Sequence, residues 1–154
     1  MSINWNCKAF DELTVHELYA ILRLRTEVFV VEQNCVFQDM DNKDQCSYHI
    51  CGWQNDQLVA YTRLVPAGVS YEEASIGRVI TAPSARGTGT GKELMQHSIK
   101  RLYEIWGERP IKLGAQLYLR KFYESFGFAQ TSDIYIEDGI PHIEMCFPIL
   151  EAKS

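Results

Sequence analysis

Glycine alternates with threonine behind an arginine in Arg86-Gly87-Thr88-Gly89-Thr90-Gly91, between an apolar segment at 76–81 and a helix-forming stretch that starts at Thr90. Glycine at every second position clears side chains from one concave surface, so successive backbone N–H groups can converge on an anion. A helix leaving such a loop turns the positive end of its dipole toward the same point. With the Arg86 charge at its entrance, the loop suits a pyrophosphate.

Spacing excludes two common phosphate binders. A P-loop requires Gly-x4-Gly-Lys followed by Ser or Thr, whereas Glu93 follows Gly91-Lys92 and Arg86 occupies the place of the first glycine. The dinucleotide fingerprint Gly-x-Gly-x-x-Gly requires glycine at 92 or 94, where Lys92 and Leu94 stand. The pattern that remains is Arg-Gly-x-Gly-x-Gly.

Elements on both sides must hold that loop. Thr90 and Glu93 form a capping-box pair, and Leu94, Met95, Ser98, Ile99, Leu102, Ile105 and Trp106 recur at helical spacing. This predicts a helix of about four turns from Thr90, ended by Gly107 and Pro110. A short strand is expected at 111–113 and a second helix over 115–128, closed by Gly127. Upstream, the pattern predicts a strand at 5–10, a helix at 14–30, strands at 47–54 and 57–65 joined across Asn55-Asp56, and a central strand at 75–81. Strands at 131–136 and 142–149, joined across Asp138-Gly139, form a closing hairpin. The polar stretch at 38–45 is a loop suited to substrate contacts. Together these elements make an α/β protein, a three-layer α/β/α sandwich with a mixed, largely antiparallel central sheet.

The segment Arg86 to Gly91 resembles the acetyl-CoA signature of the GNAT acetyltransferase superfamily, and Phe122-Tyr123-Glu124-Ser125-Phe126-Gly127-Phe128 resembles its second motif. The resemblance extends to segments 24–33, 49–53, 77–79, 113–116 and 137–142, which are similar to the ElaA-like branch, so it covers nearly the whole chain. It implies the acyl-CoA N-acyltransferase fold, residues 1–154 as a single domain, and direct transfer of an acetyl group from acetyl-CoA to a primary amine on a small molecule or peptide. By that resemblance Val79 offers its backbone N–H to the thioester oxygen, and Thr81 pairs its main chain with pantetheine. Residues Arg86, Gly87, Thr88, Gly89, Thr90 and Gly91 then hold the pyrophosphate. Tyr123 takes the general-acid position, because a phenol can donate a proton to the departing thiolate.

The general base stays open. Some family members carry a glutamate where this chain has Ser75, a poor base. Glu73 is expected on the same strand face two residues earlier, and Glu32, Asp41, His49 and His142 are the alternatives. Each also has a structural reading, with Glu32 pairing Arg25 or Arg63 and His49 bridging strands. The missing glutamate motivates a contrasting function, a non-catalytic acetyl-CoA or CoA-binding sensor or interaction module.

Composition narrows the remaining classes. With 154 residues, 46% of them hydrophobic, the chain can bury one substantial core. A net charge of −5 with no basic stripe argues against nucleic-acid binding. No apolar run is long enough to span a bilayer, and the first residues lack a secretory pattern, so a cytoplasmic protein is expected. A homodimer is compatible with this reading. Cys7, Cys35, Cys46, Cys51 and Cys146 show no disulfide-like spacing and suit reduced thiols. Cys46, His49 and Cys51 offer only three possible ligands without a second cluster, so no metal is expected. The acidic run from Asp39 lacks the glycine and terminal glutamate of an EF-hand.

Overall fold

The structure, a computed structural model, describes residues 2–148. One mixed sheet runs in the order β1-β2-β3-β4-β5-β8-β6, with β7 also paired to β8. Its strands are β1 (Asn4–Ala9), β2 (Tyr48–Gln54), β3 (Gln57–Val65), β4 (Ala74–Thr81), β5 (Ile111–Gln116), β6 (Ala129–Gln130), β7 (Tyr135–Glu137) and β8 (Ile140–Phe147). Among the described residues only β4 and β5 pair in parallel; every other pair there is antiparallel. This is the mixed, largely antiparallel sheet expected from the sequence.

Period-two alternation along β3 distributes the core between the layers. Val59 and Tyr61 face α1 (Val15–Arg25), packing with Ile21, Leu24 and Ile80. Ala60 and Leu64 face α2 (Thr90–Trp106), where Leu94, Met95 and Leu102 are fully buried. At the start of α1, the Thr14 hydroxyl accepts from Glu17 N (3.1 Å) while the Glu17 carboxylate accepts from Thr14 N (2.8 Å). That reciprocal pair satisfies two otherwise orphaned donors. The helix then widens into a π-helical turn, Thr26–Glu32, which points Val28, Phe29 and Glu32 at the opening beside β4.

Several boundaries moved for tertiary reasons. Ala115 and Gln116 belong to β5 rather than to the following helix, because β8 pairs them with Ile143 and His142. The expected helix over 115–128 therefore contracts to a 3-10 turn, Leu117–Leu119, and α3 (Arg120–Glu124). In α2 the capping position is Gly89 at φ 80°, not Thr90, whose hydroxyl bonds to Thr88 Oγ1 (2.7 Å). The closing hairpin turns through Asp138 (φ 52°) and Gly139 (φ 77°), as expected. Its first arm is split, however: Ser132 Oγ accepts from Glu144 N (2.9 Å), separating β6 from β7 along one edge of β8. The expected end of the last strand, Ile149, lies outside the described residues.

Candidate active site

β4 and β5 pair only at Ala74–Ile111 and Ser75–Lys112, then part. On its other side β4 carries a bulge, since the register with β3 steps from Tyr61–Ile80 to Arg63–Gly77 and leaves Arg78 and Val79 opposite Thr62 alone. Arg78 sits there at φ 50°, in the left-handed region that costs a side-chain-bearing residue energy. Between the parted strands runs a cleft of about 1090 Å³. Val79 and Thr81 line it, so the bulge and the sheet opening place both at one wall.

The glycine loop closes one end of this cleft. Gly87 and Gly89 have φ 78° and 80°, while a Cβ at either would meet nothing within 4 Å. Backbone conformation, not crowding, therefore demands glycine at both. A Cβ at Gly91 would touch Thr81 Oγ1 (3.5 Å) and the Phe122 ring (3.6 Å) in ordinary contact. Thr88 Oγ1 donates to Ala85 O (2.6 Å) and so accepts from Thr90, which fixes the loop's shape from within. Arg86 stands at the entrance but is not free. Its guanidinium makes a two-pronged pair with Glu32 (2.9 and 2.7 Å) and donates to Thr81 O (3.2 Å). The hydrogen bonds from Arg86 to Glu32, together with the Arg86 charge, hold the Glu32 carboxyl below its ordinary range.

Tyr123 lies in the cleft wall at 4% exposure. Its ring packs edge-on against Phe122 (5.2 Å) and Phe128 (6.0 Å), and its hydroxyl has no hydrogen-bond partner among the described residues. Burial, with a smaller contribution from Tyr118, pushes its pKa up, so the phenol stays protonated at neutral pH.

The five candidate bases separate by environment. Glu73 precedes β4 instead of lying on its face and does not line the cleft. Glu32 is tied to Arg86, not to Arg25 or Arg63 as the sequence suggested. His49 is fully buried away from the cleft, with Nε2 3.0 Å from Asp44 O and Nδ1 2.6 Å from the Tyr61 hydroxyl. Because a carbonyl only accepts, Nε2 carries the proton and Tyr61 donates to Nδ1. Burial lowers the His49 pKa although Asp44 opposes it. Asp41 lines the cleft but is gripped by Arg63 and Arg78. Burial alone would raise its pKa; the arginines overcome that and hold the carboxyl well below the usual carboxylate range. His142 also lines the cleft, with Nδ1 2.7 Å from Ile140 O. The proton therefore sits on Nδ1, leaving the Nε2 lone pair uncommitted, with a Glu137 carboxylate oxygen at 3.7 Å.

The polar loop at 38–45 is cross-linked to α1 and to the sheet, and its Asp41 and Lys43 line the cleft. Arg25, fully buried, donates to Asp39 (2.8 Å) and Asp44 (2.7 Å); Arg63 donates to Asp44 (2.9 Å) and Asp41. Arg78 donates from the bulge to the Asp39 carboxylate and carbonyl, each at 2.8 Å. Sequence reading missed this network because its partners lie 14 to 39 residues apart with no shared local pattern. A charged residue at positions where strand alternation predicts core, as at Arg63 between buried neighbours, is the signal that could have found it.

Cys46 is exposed and donates to Lys43 O (3.3 Å), while Cys51 is buried in the core facing α1. All five cysteines are free, and no helix among the described residues is long and apolar enough to cross a membrane. Among those residues no group of three or more His, Cys, Asp or Glu side chains is arranged to hold a metal.

Comparison with known proteins agrees with this geometry. Residues 14–147 match the acetyltransferase (GNAT) domain family. ElaA of Escherichia coli is 45% identical over 152 residues, covering 97% of this chain and 99% of that protein. A UPF0039 protein of Synechocystis is 39% identical, over 97% of each chain. The crystal structure of E. coli ElaA superimposes with a TM-score of 0.88, covering 94% of this chain and 98% of that one. An acyl-CoA N-acyltransferase from Pseudomonas aeruginosa reaches 0.90 at 41% identity, over 94% and 99% of the two chains. A parted β4–β5 pair, a glycine loop at a helix N-terminus and a match spanning almost the whole chain thus lead to one conclusion: the chain belongs to the GNAT acyltransferase family, in its ElaA-like branch.

Proposed function

We propose that the protein is an acetyl-CoA-dependent N-acetyltransferase, residues 1–154 forming one domain, that passes the acetyl group directly to a primary amine. The observation that carries this reading is the cleft itself: it runs from the glycine loop past the bulge at Val79 to a buried phenol that has no other partner. In this reading the N–H groups of residues 86–91 and the α2 dipole hold the pyrophosphate. Arg86 exchanges Glu32 for phosphate, and the Thr81 main chain pairs with pantetheine as an added strand would.

The amine nitrogen attacks the thioester carbonyl, and the oxygen that gains charge takes a hydrogen bond from Val79 N–H. His142 Nε2 receives the ammonium proton, directly or through water, and the Glu137 carboxylate stabilises the imidazolium. As the C–S bond breaks, Tyr123 donates its proton toward the sulfur, which leaves as the thiol. His142 is chosen because Glu32 and Asp41 are ion-paired, His49 is sealed and Glu73 is outside the cleft. The test is thiol release from acetyl-CoA with polyamines, amino acids, aminoglycosides and peptides as acceptors. Turnover of any of them supports transfer; tight CoA binding with no thiol release across the panel favours the sensor or interaction module.

A further inference from the structure

The acceptor end of the cleft holds a cation without a counter-ion. Lys43, half-buried in the lining, donates from Nζ to Ser70 Oγ (3.2 Å), and no carboxylate among the described residues forms an ion pair with it. Its acidic neighbours are already engaged: Asp39 by Arg25 and Arg78, Asp41 by Arg63 and Arg78, and Asp44 by Arg25 and Arg63. Three carboxylates thus face four cations, and Lys43 is the one left without a counter-ion.

Arg63 adds a separate observation. It is 3% exposed, lines the same part of the cleft, and its Nε is buried without an acceptor. It lies beside Gly77, where a Cβ would stand 4.0 Å from Nε. Because Asp41 and Asp44 meet the Arg63 charge, the field acting on whatever occupies the cleft is that of the uncompensated Lys43 ammonium, with the Arg63 N–H as a further open donor. In a partly desolvated site such a field strongly favours an anion and repels a second cation. The β7–β8 hairpin lines the cleft with carboxylates of the reverse sign, Glu137 and Asp138. The cleft therefore suits a molecule with a positive end and a negative end.

We propose that the acceptor is an amine that also bears an anionic group, and that Lys43 selects it. This rests on the acyl-transfer reading of the cleft.

The test is calorimetry on CoA-loaded protein, which binds acceptor without turnover, using 6-aminohexanoate, 6-aminohexyl phosphate and hexylamine. A charge-assisted contact predicts that at least one anionic probe binds about tenfold or more tightly than hexylamine. The better of the two distinguishes a carboxylate from a phosphate ligand. Lys43→Gln should bring all three within about twofold while CoA affinity and melting temperature hold. Equal affinities in the native protein, or an advantage that survives Lys43→Gln, overturns the proposal. Thiol release is read in parallel. Lys43-dependent binding of an anionic probe with no turnover of any amine keeps the anion site and sinks the transferase reading; hexylamine turnover that no anion improves does the reverse.

Discussion

Replacing Tyr123 by Phe removes one oxygen atom and nothing else, so its effects on stability and turnover can be worked out separately. The ring that remains keeps its edge-on packing against Phe122 and Phe128, at centroid distances of 5.2 and 6.0 Å. The hydroxyl has no hydrogen-bond partner to lose among the described residues, and losing an ordinary hydrogen bond would have cost about 1 kcal/mol. Stability should therefore change by well under about 1 kcal/mol. Turnover should behave differently. A positioned proton donor contributes about 10²-fold or more, so kcat should fall by at least that factor, equivalent to about 2.7 kcal/mol of barrier. The assay pairs thiol release on an accepted amine with melting temperature and CoA calorimetry on the same preparation. Full activity in Tyr123→Phe would refute the acid role, and a melting point several degrees lower would show that the hydroxyl is structural.

Other expectations follow from the same geometry. Gly89→Asp should abolish CoA binding by calorimetry, since it puts an anion at the phosphate loop and forces a non-glycine residue to φ 80°; Gly89→Ala, carrying only the strain, should lose less. His142→Gln should lower kcat/KM while CoA affinity is unchanged, as thiol release and CoA calorimetry on the same preparation would show. Asp44→Ala strips a shared carboxylate from Arg25 and Arg63 and should cost about 3–5 kcal/mol in urea unfolding. Asp41 and Asp44 have folded pKa values below their unfolded ones, burial opposing and the arginines prevailing. Their stabilisation is complete above the unfolded carboxylate pKa of about 4 and is lost as pH falls below it, so the urea midpoint should drop between about pH 5 and 3. An unchanged midpoint over that range would contradict the network's role.

What could be read directly from the chain was local. β3 spans the residues that its alternation and bounding turn signals mark, and α2 starts at Thr90 as its apolar spacing requires. Both two-residue turns stand where Asn55-Asp56 and Asp138-Gly139 place them, because those residue types tolerate the positive φ that a tight hairpin needs. The glycine loop and the tyrosine that resembles the family's acid were legible in the same way, each defined within a few neighbours. The general base was not. Glu73, Glu32, Asp41 and His49 carry suitable groups, and only three-dimensional packing shows which are paired, sealed or outside the cleft.

Tertiary structure decided the rest through contacts between distant parts of the chain. β8 captured Ala115 and Gln116 as strand because unpaired backbone at an interior sheet position costs more than a helix propensity of a few tenths of a kcal/mol returns. The bulge at Arg78 exists because Asp39, thirty-nine residues earlier, holds the arginine in a conformation that it would not adopt alone. No window of sequence contains both partners. Sequence by itself marked most of the elements and a glycine loop suited to an anion, since periodicity and turn chemistry act over a few residues. The cleft, its charged walls and the sorting of its acids and bases came from strand parting and long-range ion pairs, whose energies depend on distances and burial that only the assembled fold sets.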